Sequence, residues 1–143
     1  MNVNIKLLNE NAVVPSYAKP GDAGMDLTAI SYVYDKEKDY HVYGTGVAIE
    51  IPQGYVGLVF PRSSNRNTTA YLTNSVGVID SGYRGEIMFT YRNRDKEDNN
   101  PPYNVGDRIG QIIILPYPAI NFVKVDNLSD SERGTNGHGS TGN

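Results

Sequence analysis

Three stretches of this chain carry polar side chains that could line a ligand site. The first is Asn74-Ser75-Val76-Gly77-Val78-Ile79-Asp80-Ser81-Gly82-Tyr83-Arg84-Gly85-Glu86. Its β-branched Val76, Val78 and Ile79 favour extended chain, and Ser81-Gly82 supplies the small, permissive residues of a tight turn. A hairpin there would line a pocket with Asp80 and Tyr83, with its own backbone as the floor and Asn74 near the mouth. A solvated surface turn would use the same polar residues, so this stretch alone leaves both readings open. The second stretch is Pro61-Arg62-Ser63-Ser64-Asn65. Ser63 or Ser64 could cap one helical turn, and free backbone N–H groups beside hydroxyls and a guanidinium make a phosphate cradle. Capped turns are commoner than phosphate sites, so this motif too is unspecific by itself. The third runs from Arg133 through His138, Gly139, Ser140 and Thr141 on a glycine-rich backbone. An arginine, an aromatic ring and two hydroxyls there could fold over a phosphorylated ligand, although the same composition suits a disordered tail.

The elements that must position these groups read as strands. Val3-Asn4-Ile5-Lys6-Leu7 alternates apolar and polar residues, and Pro15 and Pro20-Gly21 then break the chain into turns. Extended chain resumes at Ala23-Gly24-Met25-Asp26-Leu27-Thr28-Ala29-Ile30. There Asp26 faces away from Met25 and Leu27, as a solvated residue or a turn-capping carboxylate would. Residues 45–51 predict a strand with Val47, Ile49 and Ile51 on one face. The near-continuous apolar run of residues 55–60 predicts a strand buried on both faces. Residues 87–93 and 109–115 predict two more, Gln111 being the polar exception in an aliphatic run. A buried amide needs hydrogen-bond partners, and backbone or ligand would serve equally. Residues 121–125 predict a last strand, and the charged, asparagine-rich residues 94–103 predict an exposed loop. Short strands between Pro, Gly and Asn turns, with no sustained helical period over 45–115, predict an all-β barrel or sandwich.

Whole-chain properties narrow the classes further. At 143 residues the length fits one domain, read as a β core over residues 1–125 and a C-terminal arm over 126–143. Thirteen basic and 16 acidic residues give a net charge of −3, which provides no general field for nucleic acid. The absence of cysteine excludes disulfides and thiolate metal sites, and two histidines are too few for a histidine-rich zinc site. No apolar run reaches the length of a membrane span, and the N-terminus lacks a signal peptide's apolar centre, so a cytoplasmic location is expected.

Taken together, five stretches resemble the motifs of the trimeric dUTPase family (dUTP pyrophosphatases), in order and in spacing. They are Ala23-Gly24-Met25-Asp26-Leu27, Pro61-Arg62-Ser63-Ser64, Gly77-Val78-Ile79-Asp80-Ser81-Gly82-Tyr83-Arg84-Gly85, Gly106-Asp107-Arg108-Ile109-Gly110-Gln111, and Arg133-Gly134 with Gly139-Ser140-Thr141-Gly142. They span residues 23–142. The resemblance implies a jelly-roll-like β subunit with a flexible glycine-rich arm, three of which form a homotrimer with shared active sites closed by a neighbour's tail. It implies Mg²⁺-dependent hydrolysis of dUTP to dUMP and pyrophosphate, by water attack on the α-phosphorus. That reaction limits uracil incorporation into DNA and supplies dUMP for dTMP synthesis.

The resemblance also implies the roles of individual residues. Asp80 orients the attacking water and meets the 3′-hydroxyl, and Tyr83 packs under the deoxyribose and leaves no room for a 2′-hydroxyl. Asn74 reads uracil, helped by backbone groups of the hairpin at Val78 and Ile79, because an amide alone could flip to suit cytosine. Arg62, Ser63 and Ser64 hold phosphate, and Gln111 lies near the phosphates or the water. Asp26 acts on the magnesium through water, since Mg²⁺ keeps much of its hydration shell. Arg133, Gly139, Ser140 and Thr141 clamp the β- and γ-phosphates. Asp107 and Arg108 are structural partners at the subunit interface. Two positions depart from the pattern. His138 stands where the family usually stacks Phe on uracil, which implies weaker stacking and an added pH dependence below neutrality. Asn65-Arg66 replaces small or apolar residues after the second motif. A dCTP deaminase of the same fold would carry a catalytic Glu where this chain has Thr90. A nucleotide-binding regulatory protein is the third reading, and residues 94–103 are the place to seek a protein partner.

Overall fold

The computed structural model describes residues 1–137. His138, Gly139, Ser140 and Thr141, expected to contact substrate, lie outside the described residues. Ten strands follow one another: β1 (Asn4–Leu7), β2 (Met25–Thr28), β3 (Ser31–Asp35), β4 (Tyr40–Gly44), β5 (Val47–Glu50), β6 (Tyr55–Phe60), β7 (Ala70–Leu72), β8 (Gly77–Ile79), β9 (Met88–Asn93) and β10 (Arg108–Pro116). A single 3-10 turn, Ser63–Asn67, follows β6. The strands form two four-stranded antiparallel sheets, ordered β2-β10-β6-β8 and β3-β4-β9-β7, and a β1-β5 pair.

Both large sheets contribute to one core. Leu27, Val59, Ile109 and Ile112 come from the first, and Tyr43, Leu72, Phe89 and Tyr91 from the second. Each strand is short, so alternate side chains are committed to that core and the others to the outside. The Tyr91 hydroxyl crosses between sheets to donate to the Ile109 carbonyl at 2.6 Å. Buried tyrosines are tolerated because their hydroxyls find acceptors, the backbone carbonyls of Tyr103 and Ile109 for Tyr43 and Tyr91 and the Asn65 side chain for Tyr103. This is the expected all-β sandwich, with open sheet edges rather than a closed barrel.

Several local expectations change. Residues 80–86 do not turn a hairpin. β8 pairs with β6, whereas β9 lies in the other sheet between β4 and β7. The turn closed by the Tyr83 N–H on the Asp80 carbonyl, at 3.0 Å, is a corner that carries the chain from one sheet to the other. Residues 121–125 are not a strand: the described chain beyond β10 pairs with none of the ten strands. Phe122 is left 93% exposed. The cap of the 3-10 turn is Arg62, which makes no side-chain capping bond, so Ser63 and Ser64 begin the turn instead of capping it. β6 is not buried on both faces: Gly57 and Val59 are buried, and Tyr55, Val56, Leu58 and Phe60 are half-buried. β3, β4 and β7 are not among the strands the pattern predicts.

Candidate active site

Register places the first cluster. Gln111 of β10 stands opposite Asp26 of β2 on one side and Phe60 of β6 on the other. Since Phe60 leads directly into Pro61 and Arg62, three widely spaced stretches of sequence meet on adjacent strands. They enclose a cleft of about 340 Å³ lined by Asp22, Gly24, Asp26, Arg62, Ser63 and Gln111, among others.

Ion pairs organise this cleft. The Asp26 carboxylate receives Arg62 Nε on one oxygen at 2.7 Å and Arg108 Nη1 on the other at 3.0 Å. It is largely shielded from solvent, so its side chain is held between two guanidiniums. Arg62 Nη1 also donates to Ser64 Oγ at 3.3 Å. Its Nη2 has no protein partner among the described residues, which leaves donors for an anion. Gln111 Nε2 donates to the Pro61 carbonyl at 3.0 Å and so ties β10 to the start of the phosphate-cradle motif. Gly24 packs directly beside it, so a Cβ at that position would meet Gln111 Oε1 and force the amide to move.

The second cluster belongs to the corner. Asp80 is exposed at a hollow of about 300 Å³ that it shares with Tyr55, Val56, Val78 and Tyr117. The Tyr83 hydroxyl donates to the Glu86 carbonyl at 2.9 Å, and its ring lies over Gly85, where no side chain would fit. Arg84 Nη1 donates to the carbonyls of Ser81 and Tyr83 at 2.7 and 3.0 Å, and Nη2 reaches Glu50 Oε1 at 3.2 Å. Asn4 holds the other Glu50 oxygen at 2.8 Å. That hydrogen bond, followed by the charge of Arg84, holds the Glu50 carboxyl below its ordinary pKa. Glu86 anchors the far side of the corner by accepting from the Gly46 N–H at 2.7 Å. Asn74, at the start of this segment, is exposed, as is Val78, and Ile79 is half-buried.

The two clusters are not one site within a single chain. Sheet order puts β2 and β8 at opposite edges, and Ile79 pairs with Gly57, three residues back from Phe60. Strand spacing and rise then separate Asp80 from Arg62 by on the order of 15 Å. A general base must come within hydrogen-bond reach of its proton, so Asp80 cannot serve a phosphate held by the same chain's Arg62. Arg133 joins neither cluster. Its Nε donates to the Asn136 carbonyl at 3.0 Å on an exposed segment. No group of three or more His, Cys, Asp or Glu among the described residues could hold a metal ion. Asp26, with one guanidinium on each oxygen, fits a magnesium only through intervening water, the phosphates of a ligand supplying direct coordination.

Arg108, expected as a structural partner at a subunit interface, donates to the cleft carboxylate of its own chain. Asp107 accepts from the Asn104 N–H at 2.7 Å, in the turn before β10. Tyr55, Tyr117 and Glu50 are the residues that sequence reasoning did not single out. No motif marks them: the pairing of β6 with β8 and β10 brings Tyr55 and Tyr117 to the Asp80 hollow, and Glu50 meets the corner through Arg84.

Comparison with known proteins decides the family. The dUTPase family profile matches residues 10–142. The chain belongs to the dUTPase family. A deoxyuridine 5′-triphosphate nucleotidohydrolase of Leifsonia xyli is 46% identical over 90% of this chain and 85% of its own length. The protein of the same name from Clostridioides difficile is 39% identical over 99% and 98%. Among solved structures, a Staphylococcus bacteriophage 80alpha dUTPase with dUpNHpp superposes at a TM-score of 0.83, with 28% identity over 99% of this chain and 98% of that one. A dUTPase of S. aureus phage phi11, described for its coordination of a structural Mg(II) ion, gives 0.73 at 26% identity over 89% and 98%.

Proposed function

We propose that this chain hydrolyses dUTP to dUMP and pyrophosphate as a homotrimer whose active sites are shared between subunits. The observation that carries the shared site is the separation of Asp80 from the Asp26–Arg62–Gln111 cleft in a family whose relatives are named for dUTP hydrolysis. In this reading the corner of one subunit faces the cleft of another. Asp80 orients and deprotonates the attacking water, Tyr83 packs beneath the deoxyribose, and Asn74 with the backbone at Val78 and Ile79 reads the uracil edge. Arg62, Ser63 and Ser64 grip phosphate, where fixed donors stabilise charge as it builds on the leaving pyrophosphate. Gln111 is pinned by Pro61 and presents its amide beside them. Arg133, His138, Gly139, Ser140 and Thr141 close over the ligand from a neighbour's arm. Bound with the triphosphate, Mg²⁺ supplies charge neutralisation, and Asp26 is the residue that would meet its hydration shell. The division into a core over 1–125 and an arm over 126–143, and a cytoplasmic location, belong to the same proposal.

Pyrophosphate release from dUTP, with dCTP, dTTP and UTP as controls, tests it. The wild type should act on dUTP alone. Asp80→Asn should lose activity by a factor on the order of 10²–10⁴, the range of a general base. Equal turnover by that variant would remove Asp80 from the mechanism. Deamination is disfavoured because Thr90, half-buried on β9, offers no carboxylate, and its carbonyl is occupied by Thr73. A regulatory second role has one observation in its favour. A phage 80alpha dUTPase described as controlling transfer of virulence genes superposes at a TM-score of 0.80 with 30% identity.

A further inference from the structure

The position where the second motif departs from its family holds the turn together. Asn65 lies in the middle of the 3-10 turn that begins with Ser63 and Ser64, and it is half-buried beneath it. Its amide Nδ2 donates to the Ala70 carbonyl at 3.0 Å, and its Oδ1 lies 3.2 Å from Thr68 Oγ1, whose single proton has a nearer acceptor in the Asn65 carbonyl at 2.9 Å. The same Oδ1 accepts the Tyr103 hydroxyl at 2.7 Å, across 38 residues of sequence. Tyr103 is itself immobilised. Its ring is buried against Tyr43 and Tyr91, and the Tyr43 hydroxyl both donates to its carbonyl at 2.9 Å and accepts its N–H at 3.1 Å.

We infer that Asn65 and Tyr103 are positioning residues for phosphate binding, fixing the turn that presents Arg62, Ser63 and Ser64. This inference rests on the proposed dUTP hydrolysis. Five residues of 3-10 turn have little rigidity of their own, since few of their hydrogen bonds are internal. The Asn65 side chain supplies what the turn lacks: one bond forward to β7 and one into the tyrosine core. A side chain without donors and acceptors at this position could provide neither of them. The pair also joins the end of the 94–103 loop to the phosphate-binding turn by a single rigid link, so the loop's anchoring and the grip on phosphate vary together.

Tyr103→Phe, Asn65→Ala and the double variant of the full chain provide the test. Tyr103→Phe keeps the buried ring and removes only the hydroxyl. Each single variant should raise KM for dUTP about tenfold with a smaller change in kcat, as slackened positioning would. A hydrolysis-resistant dUTP analogue should bind about tenfold more weakly, while dUMP, which lacks the β- and γ-phosphates, changes about twofold or less. The double variant should be no worse than Asn65→Ala, because the two residues act through one bond. Wild-type KM in both single variants, equal weakening of analogue and dUMP, or additive losses would each overturn the inference. Should Asn65→Ala fail to fold, the ratio of analogue to dUMP affinity in Tyr103→Phe decides by itself. A wild type that released no pyrophosphate from dUTP would refute the function, and the binding ratio would still judge the pair.

Discussion

His41 is fully buried on β4, with its Nδ1 3.1 Å from the Tyr32 hydroxyl and its ring 5.0 Å from that of Tyr34. Its Nε2 has no partner among the described residues. Burial lowers its pKa, and the more distant charges of Asp39 and Asp98 pull the other way without prevailing. The histidine is therefore neutral in the fold at a pH where the unfolded chain, with a pKa of about 6.5, already binds a proton. The unfolded state binds more protons over that interval, so stability is whole above about pH 6.5 and falls as the pH drops toward the folded pKa. The slope reaches at most about 1.4 kcal/mol per pH unit. Thermal midpoints at pH 7.5, 6.5 and 5.5 should show this decline in the wild type, and a flatter profile in His41→Phe. An equal decline in both would assign it elsewhere. Glu50 and Asp98 have lowered carboxyl pKa values, through Asn4 and Arg84 for the first and Asn100 for the second. Their effect falls in a lower window, below about pH 4.5.

The corner at residues 80–86 is an element in its own right. It has no strand partner across its turn, so side-chain bonds replace the missing ladder. Arg84 clasps two carbonyls, Glu86 takes the Gly46 amide, and the Tyr83 hydroxyl closes back onto Glu86. Tyr83 can adopt this pose only because Gly85 has no side chain. Gly85→Ala must push the ring out from the corner. We expect kcat/KM for dUTP to fall about tenfold or more, since misplacing a substrate-positioning group is costly. The corner is mostly exposed, so the loss of stability should stay near the usual surface range, about 1 kcal/mol or less. Steady-state kinetics beside a thermal melt separates the two, and a large drop in melting temperature with unchanged kinetics would contradict the reading. Arg84–Glu50 adds little stability as an exposed pair. Its value is in fixing where the carbonyls of the corner sit.

At the scale of the whole molecule, the proposed function makes assembly a catalytic requirement, given the distance between corner and cleft. In the proposed trimer, Asp80→Asn subunits retain a sound cleft and Arg62→Ala subunits retain a sound corner. Each variant alone should be nearly inactive. Unfolding and refolding them together at equal amounts should restore about a quarter of wild-type activity, the random fraction of neighbouring pairs that join two intact halves. No recovery in a mixture shown to contain mixed trimers would mean that the two residues serve one site from the same chain. The exposed apolar residues beyond β10, Phe122 and Leu128 among them, are consistent with an element whose partners lie outside its own subunit.

The sequence by itself determined the class of fold and the chemical inventory. Short alternating strands between Pro and Gly turns admit a sandwich and no helical domain, and five ordered motifs name Asp26, Arg62, Asp80, Gln111 and Arg133. Local pattern also misled. Val76, Val78 and Ile79 with the turn after them looked like a hairpin, and residues 121–125 looked like a strand, because periodicity reports a strand's faces and says nothing of its partner. Strands β3 and β4 alternate as clearly as the others, but their Tyr-rich faces surround a charged turn that reads as loop. Tertiary structure decided what pairing alone can decide. The register of β10 between β2 and β6 brings Asp26, Gln111 and Arg62 together, and the sheet order sends Asp80 to the far edge. It also gave Asn65 its part in holding the turn, through a hydroxyl 38 residues away. Residue types and spacing carry the chemistry, and non-local hydrogen bonding determines which of those groups can meet.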